Sequence, residues 1–80
     1  MIIKILGSGC KNCAKLEKNT EDALKTSGIE ATIEKVTDFK DIANYGVMTT
    51  PGLVINDVVV SQGKVLKENE IVKLLEHHAS

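Results

Sequence analysis

Two cysteines, Cys10 and Cys13, are the thiols of this chain, and only Lys11 and Asn12 separate them. A thiol pair at this spacing can cycle between dithiol and disulfide, or can hold a soft metal through two thiolates. The flanking residues favour the first chemistry. Ahead of the pair stand the apolar run Ile2-Ile3-Lys4-Ile5-Leu6 and the turn Gly7-Ser8-Gly9. Behind it Cys13, Leu16, Thr20, Ala23, Leu24 and Ser27 recur at three- and four-residue steps, the period of a helix face. Strand, glycine-rich turn and helix place both thiols at a helix N-terminus, where free backbone N–H groups and the helix dipole favour an anion. The thiolate is such an anion and is the reactive form of cysteine. Redox chemistry at Cys10 and Cys13 is therefore the leading expectation.

The elements that must hold this pair can be read in order. Met1 to Leu6, β-branched and apolar on both faces apart from Lys4, reads as a central strand. A first helix spans about Asn12 to Ser27 and ends at Gly28, a residue suited to the left-handed position after a helix. Ile29 to Val36 alternates, with Ile29, Ala31, Ile33 and Lys35 opposite Glu30, Thr32 and Glu34, as an edge strand would. Strand, helix and strand form a βαβ unit, so the two strands are expected parallel with a right-handed crossover. Thr37-Asp38 opens a short helix with Asp38 as N-cap, Ile42 and Ala43 facing inward, and Tyr45-Gly46 at its end. Residues 52 to 61 form a hairpin about Asn56-Asp57, and Gly63 breaks its second strand. A last helix begins near Glu68 with Ile71, Leu74 and Leu75 on one face, and Lys67 is a poor cap for it. The order is βαβαββα.

Size and composition narrow the function. Eighty residues suit one small domain, 1–80, with a single core. Apolar residues make up 42% of the chain and charged residues 26%, a globular balance. One Phe, one Tyr and no Trp leave the core aliphatic. The net charge is −1 with lysines and acids interspersed, and no basic stripe or aromatic platform points to nucleic acid. The apolar runs are too short to span a bilayer, and no signal-peptide core is present. The expected compartment is the cytosol, where a cysteine pair is usually redox-active or metal-binding.

This order, with C-x-x-C after the first strand, resembles the thioredoxin superfamily. The resemblance extends to Tyr45-Gly46-Val47, to Thr50-Pro51 before Leu53-Val54-Ile55, and to Val60-Ser61-Gln62-Gly63 ahead of the last helix. Within the superfamily the chain is similar to the small redox-active disulfide proteins (the redox-active disulfide protein 2 family). Those share an Ile-Leu-Gly-x-Gly-Cys-x-x-Cys opening and the continuation Leu16-Glu17-Lys18-Asn19. The resemblance implies a minimal thioredoxin-like α/β fold, a four-stranded mixed sheet flanked by three helices. It implies a thiol–disulfide oxidoreductase with Cys10 and Cys13 catalytic and no cofactor. It also implies a cis Pro51 against the cysteine pair, and Thr50 offering backbone groups to an extended substrate. The partners would be a disulfide-containing protein and an upstream reductase, with no nucleic acid and no membrane, and the protein would act as a monomer. Three features depart from ordinary thioredoxins. Ser8-Gly9 stands where the Trp precedes the cysteines, Lys11-Asn12 where Gly-Pro separates them, and Lys4 where a buried acid lies six residues before the first cysteine.

In such a site Cys10 attacks a substrate disulfide as a thiolate, and Cys13, one turn in, resolves the mixed disulfide. The helix dipole, at roughly 0.3–1 kcal/mol, lowers a thiol pKa by less than about one unit, so amide hydrogen bonds and Lys11 must add to it. Closing so small a ring stabilises by only about 2 kcal/mol, which suits a bridge that cycles. The rival is a soft-metal module binding Cu(I) or Zn through the same two cysteines. Heavy-metal-associated domains follow βαββαβ and commonly carry Met two residues before the first cysteine. Ser8, Thr50-Pro51 and the terminal helix here favour the redox reading. Tyr45 reads as a helix-end packing residue, and the lysines as a solvated surface. His77 and His78 suit the dipole at a helix end or mark a tag junction. The resemblance places the start of the last helix at the cysteine pole and both histidines far from it.

Overall fold

The computed structural model describes residues 1–7 and 11–79. Its elements are β1 (Ile2–Leu6), α1 (Lys11–Ser27), β2 (Thr32–Val36), α2 (Phe39–Asn44), β3 (Gly52–Ile55), β4 (Val58–Gln62) and α3 (Glu68–Ala79). The strands form a four-stranded sheet in the order β2-β1-β3-β4, with β1 parallel to β2 and antiparallel to β3, and β3 antiparallel to β4. This is the thioredoxin fold, and the βαβαββα order is as expected.

Alternation along β1 assigns the two faces. Ile3 and Ile5 are buried with Leu16 and Ala23 of α1, Leu53 and Ile55 of β3, and Ile71 and Leu75 of α3. Leu6 points the other way, into a smaller cluster with Ile42 of α2, Val47 and Val54, flanked by Val36, Tyr45 and Val59. Helices α1 and α3 therefore cover one face and the short α2 covers part of the other. The core is aliphatic, and Phe39 is 76% exposed. Among the described residues Thr20 is the buried polar side chain, its hydroxyl donating to the Leu16 carbonyl at 2.7 Å.

Local chemistry fixes the joints. Gly28 takes φ 71° after α1 and donates its N–H to the Leu24 carbonyl at 3.0 Å, the expected helix stop. Asp38 caps α2 by accepting from the Lys40 N–H at 2.8 Å. Asn56 and Asp57 both adopt positive φ, 50° and 67°, giving the two-residue type I′ turn whose twist suits a hairpin.

Three expectations are corrected. Strand β2 starts at Thr32 rather than Ile29, because its pairing with β1 begins at Ile2↔Thr32 and, among the described residues, no strand pairs with 29–31. Ala43 is exposed; a helix as short as α2 turns little more than one residue, Ile42, into the sheet. Lys67 is the poor cap expected from its side chain, and Glu70 compensates in part by accepting from the Lys67 N–H at 3.4 Å, half of a capping box. Helix α3 does not open at the cysteine pole. Its first residue, Glu68, accepts a hydrogen bond from Thr26 in the last turns of α1, and the Asn19 side chain donates to the Leu66 carbonyl at 2.9 Å. The segment 63–67 thus runs down alongside α1 before α3 begins.

Candidate functional site

The register places one end of the sheet under the cysteine segment. Leu6 lies opposite both Val36 and Gly52, and Gly52 lies opposite Gln62. The chain leaves this row at Gly7 toward the cysteines, enters it from Thr50-Pro51, and leaves again at Gly63. Parallel pairing continues one step past β1, with the Gly7 N–H donating to the Val36 carbonyl at 2.9 Å.

Cys13 is the third residue of α1, 6% exposed and disulfide-bonded. The other site cysteine read from sequence, Cys10, lies outside the described residues, as do Ser8 and Gly9. Cys13 begins the buried stripe of α1 that continues through Leu16, Thr20 and Ala23, so core packing fixes the helix turn that carries its sulfur. Gly7 lies against that sulfur. A methyl group on Gly7 would overlap Cys13 Sγ and would lie 3.5 Å from Cys13 Cβ and 3.6 Å from Thr50 Cβ. Cys13, Gly7 and Thr50 are therefore brought together.

The Thr50–Pro51 bond is cis, as the resemblance implied, with Thr50 exposed and Pro51 buried. Contacts fix the approach to this bond on both sides. The Pro51 carbonyl accepts from the Gly63 N–H at 2.8 Å, and the Met48 N–H donates to Gln62 Oε1 at 3.1 Å. Gly63 takes φ 71°, and a side chain there would meet Thr49 Oγ1 at 2.7 Å. The sequence marked Gly63 as a strand breaker and as part of the resemblance; its closeness to the Pro51 loop needs the fold.

Lys4 belongs to the opposite face from Gly7. Its ammonium donates to the Tyr45 hydroxyl at 2.5 Å and lies 3.7 Å from Asp57 Oδ1. The nitrogen is 5.2 Å from the Tyr45 ring centroid, so it meets the ring end-on through the hydroxyl and not over its face. The Tyr45 hydrogen bond holds the Lys4 pKa above its ordinary 10.5, opposed by desolvation and helped by the charges of Asp57 and Glu34. Tyr45 packs at the end of α2, as expected, and also anchors this lysine. A cleft of about 420 Å³ lined by Lys4, Glu34, Val36, Asp41, Asn44 and Tyr45 opens on this face and does not include Cys13. Among the described residues there is no group of three or more His, Cys, Asp or Glu placed to hold a metal, and no helix long and apolar enough to cross a membrane.

Comparison with known proteins accords with this arrangement. Residues 1–76 match the family model of the thioredoxin domain. The chain belongs to the thioredoxin domain family. A thioredoxin of Methanothermobacter thermautotrophicus is 40% identical over 75 residues, 94% of this chain and 97% of that protein. A thioredoxin of Methanocaldococcus jannaschii is 38% identical over 78 residues, 98% of this chain and 90% of its own length. Two solved malarial structures share the fold. One, a malarial protein, superposes with a TM-score of 0.71 at 16% identity, covering 99% of this chain and 97% of its own. The other, thioredoxin-2 from the malaria parasite's protein secretion machinery, gives 0.72 at 17% identity over 96% of this chain and 82% of its own. In general terms the chain is a thiol–disulfide oxidoreductase, an enzyme acting on disulfide substrates.

Proposed function

We propose that this thioredoxin-family chain exchanges its Cys10–Cys13 dithiol for disulfides in proteins or small molecules. The Cys10 thiolate attacks one sulfur of the substrate, forming a mixed disulfide and releasing the other substrate sulfur as a thiolate. The Cys13 thiolate then attacks Cys10 Sγ, closing the Cys10–Cys13 bridge and releasing the second substrate thiol. Two electrons pass to the substrate, and an upstream reductase returns the bridge to the dithiol. The observation that carries this reading is the state of Cys13, which is disulfide-bonded and 6% exposed in the first turn of α1. A shielded sulfur is poorly placed to meet a bulky substrate and suited to resolving a mixed disulfide formed three residues earlier in the chain. Thr50, exposed beside Gly7, presents its backbone to an extended substrate segment, and buried Pro51 backs it.

The test mixes the reduced protein, freed of excess reductant, with insulin. Chain separation with loss of two protein thiols per disulfide is expected. Cys13→Ser should accumulate a mixed disulfide through Cys10, and Cys10→Ser should not. Turnover by both variants at the wild-type rate would refute the dithiol mechanism. Tight Cu(I) or Zn binding by a reduced protein that cleaves no disulfide would install the soft-metal reading in its place.

A further inference from the structure

Side chains of β1 at odd positions point toward α1: Ile3 and Ile5 are buried in the cluster that holds Leu16. Position 7 is the next in that series, and a side chain there would enter the same layer. Its place is already taken by Cys13 Sγ, which a methyl on Gly7 would overlap. The strand end cannot easily withdraw, because the Gly7 N–H is tied to the Val36 carbonyl at 2.9 Å and Gly7 itself is buried. Cys13 is held on its other side by a helix whose next inward residue, Leu16, is fully buried.

We infer that Gly7 is a positioning residue for the resolving sulfur, keeping open the volume that Cys13 Sγ occupies when it is disulfide-bonded. This rests on the Cys10–Cys13 exchange reading and deepens it. In the bridged state the sulfur is bound at both ends and has one place to sit. In the dithiol state Cys13 is free to take another staggered χ1 rotamer. An obstacle at position 7 therefore penalises the disulfide more than the dithiol. Gly7 also has φ 156°, which disfavours a side chain, but that cost falls on both redox forms alike. Gly28 is the natural control: its φ is 71° and nothing lies within 4 Å of where its side chain would begin.

The experiment equilibrates wild type, Gly7→Ala and Gly28→Ala with dithiothreitol redox buffers. Protein disulfide plus reduced dithiothreitol gives protein dithiol plus the cyclic oxidised reagent, with two electrons and two protons transferred. Gly7→Ala should move this equilibrium at least tenfold toward the dithiol, about 30 mV more positive for a two-electron couple. Gly28→Ala should leave it unchanged while destabilising both forms. A Gly7→Ala shift of less than about threefold would overturn the inference. If Gly7→Ala fails to fold in either form, it is paired with Cys13→Ala. Recovery of the fold when the sulfur is removed supports the inference. Persistent unfolding of the pair, where Cys13→Ala alone folds, overturns it. The readout is the bridge itself, so failure to cleave insulin would count against the proposed function and leave this result standing.

Discussion

Leu16→Ala is the sharpest test of how the reactive helix is held. Leu16 is one turn beyond Cys13, fully buried, and packed among residues of β1, β3 and α3. Truncating a buried leucine removes its transfer free energy and leaves a cavity, at about 2–5 kcal/mol. A chain of 80 residues has a total stability on the order of 4–12 kcal/mol, so a central loss of about 3 kcal/mol is a large share of it. At about 4–8 °C per kcal/mol for a domain of this size, the melting temperature should fall by roughly 12–24 °C. Thermal unfolding followed by far-UV circular dichroism, on oxidised and on reduced protein, reads this directly. Met48→Ala provides the contrast, because Met48 is 91% exposed and its truncation should change stability by no more than about 0.5 kcal/mol. A Leu16→Ala loss below about 1 kcal/mol, or equal losses at the two positions, would mean that this buried stripe does not anchor α1.

Three other outcomes are expected. In the reduced protein at neutral pH, Cys10 should alkylate faster than Cys13, whose residue is 6% exposed; equal or reversed rates in mass-resolved labelling would overturn the division of roles. Asp38→Ala removes the cap bond to the Lys40 N–H and should cost about 1 kcal/mol in urea unfolding, and a loss of a few tenths or less would show that the bond is not formed. Because its folded pKa is raised, Lys4 stabilises the fold fully below its ordinary 10.5 and progressively less as pH climbs through the raised value. The stability gap between wild type and Lys4→Met should therefore be flat below that pH and narrow above it, and a gap that widened would contradict the assignment.

Much of this architecture was legible because local signals and global packing agree. The β1 run, the three- and four-residue stripe of α1, Gly28 and the Asn56-Asp57 turn each specify one conformation, and the fold uses it. The misreadings share a cause: each depended on a neighbour that sequence does not reveal. Ile29 to Ala31 carries a strand pattern, yet β1 does not extend far enough to pair with it. Lys35 lies on the α1 side as its alternation with Ile33 suggested, but its ammonium runs out to Glu17 at 3.1 Å, so along the strand only Ile33 and Val36 are half-buried. Glu70 accepts from the Lys67 N–H from inside α3, a contact that reading position 67 alone would not find. At the site, spacing pointed to the cysteines and resemblance to Pro51. Gly7 read as one more turn glycine, since only the folded chain brings it against a sulfur.

Lys4 shows why a family position is not yet a family role. It stands six residues before Cys10, where ordinary thioredoxins carry a buried acid, and its charge is opposite. Strand parity turns it away from the sulfur: Ile3, Ile5 and Gly7 face α1, while Lys4 shares its side of the sheet with Leu6 and α2. There the ammonium meets a phenol hydroxyl and, more distantly, the Asp57 carboxylate at the hairpin turn. Tyr45 is the C-cap of α2, and the chain runs from it through Val47 and Met48 to Pro51. The hydrogen bond therefore ties the central strand to the start of the loop that brings Thr50 beside Cys13. A lysine with a raised pKa stays protonated across the range in which thiols titrate, so it can donate hydrogen bonds there but cannot accept a proton. On this geometry Lys4 anchors the start of the Pro51 loop from the face of the sheet opposite Cys13 Sγ.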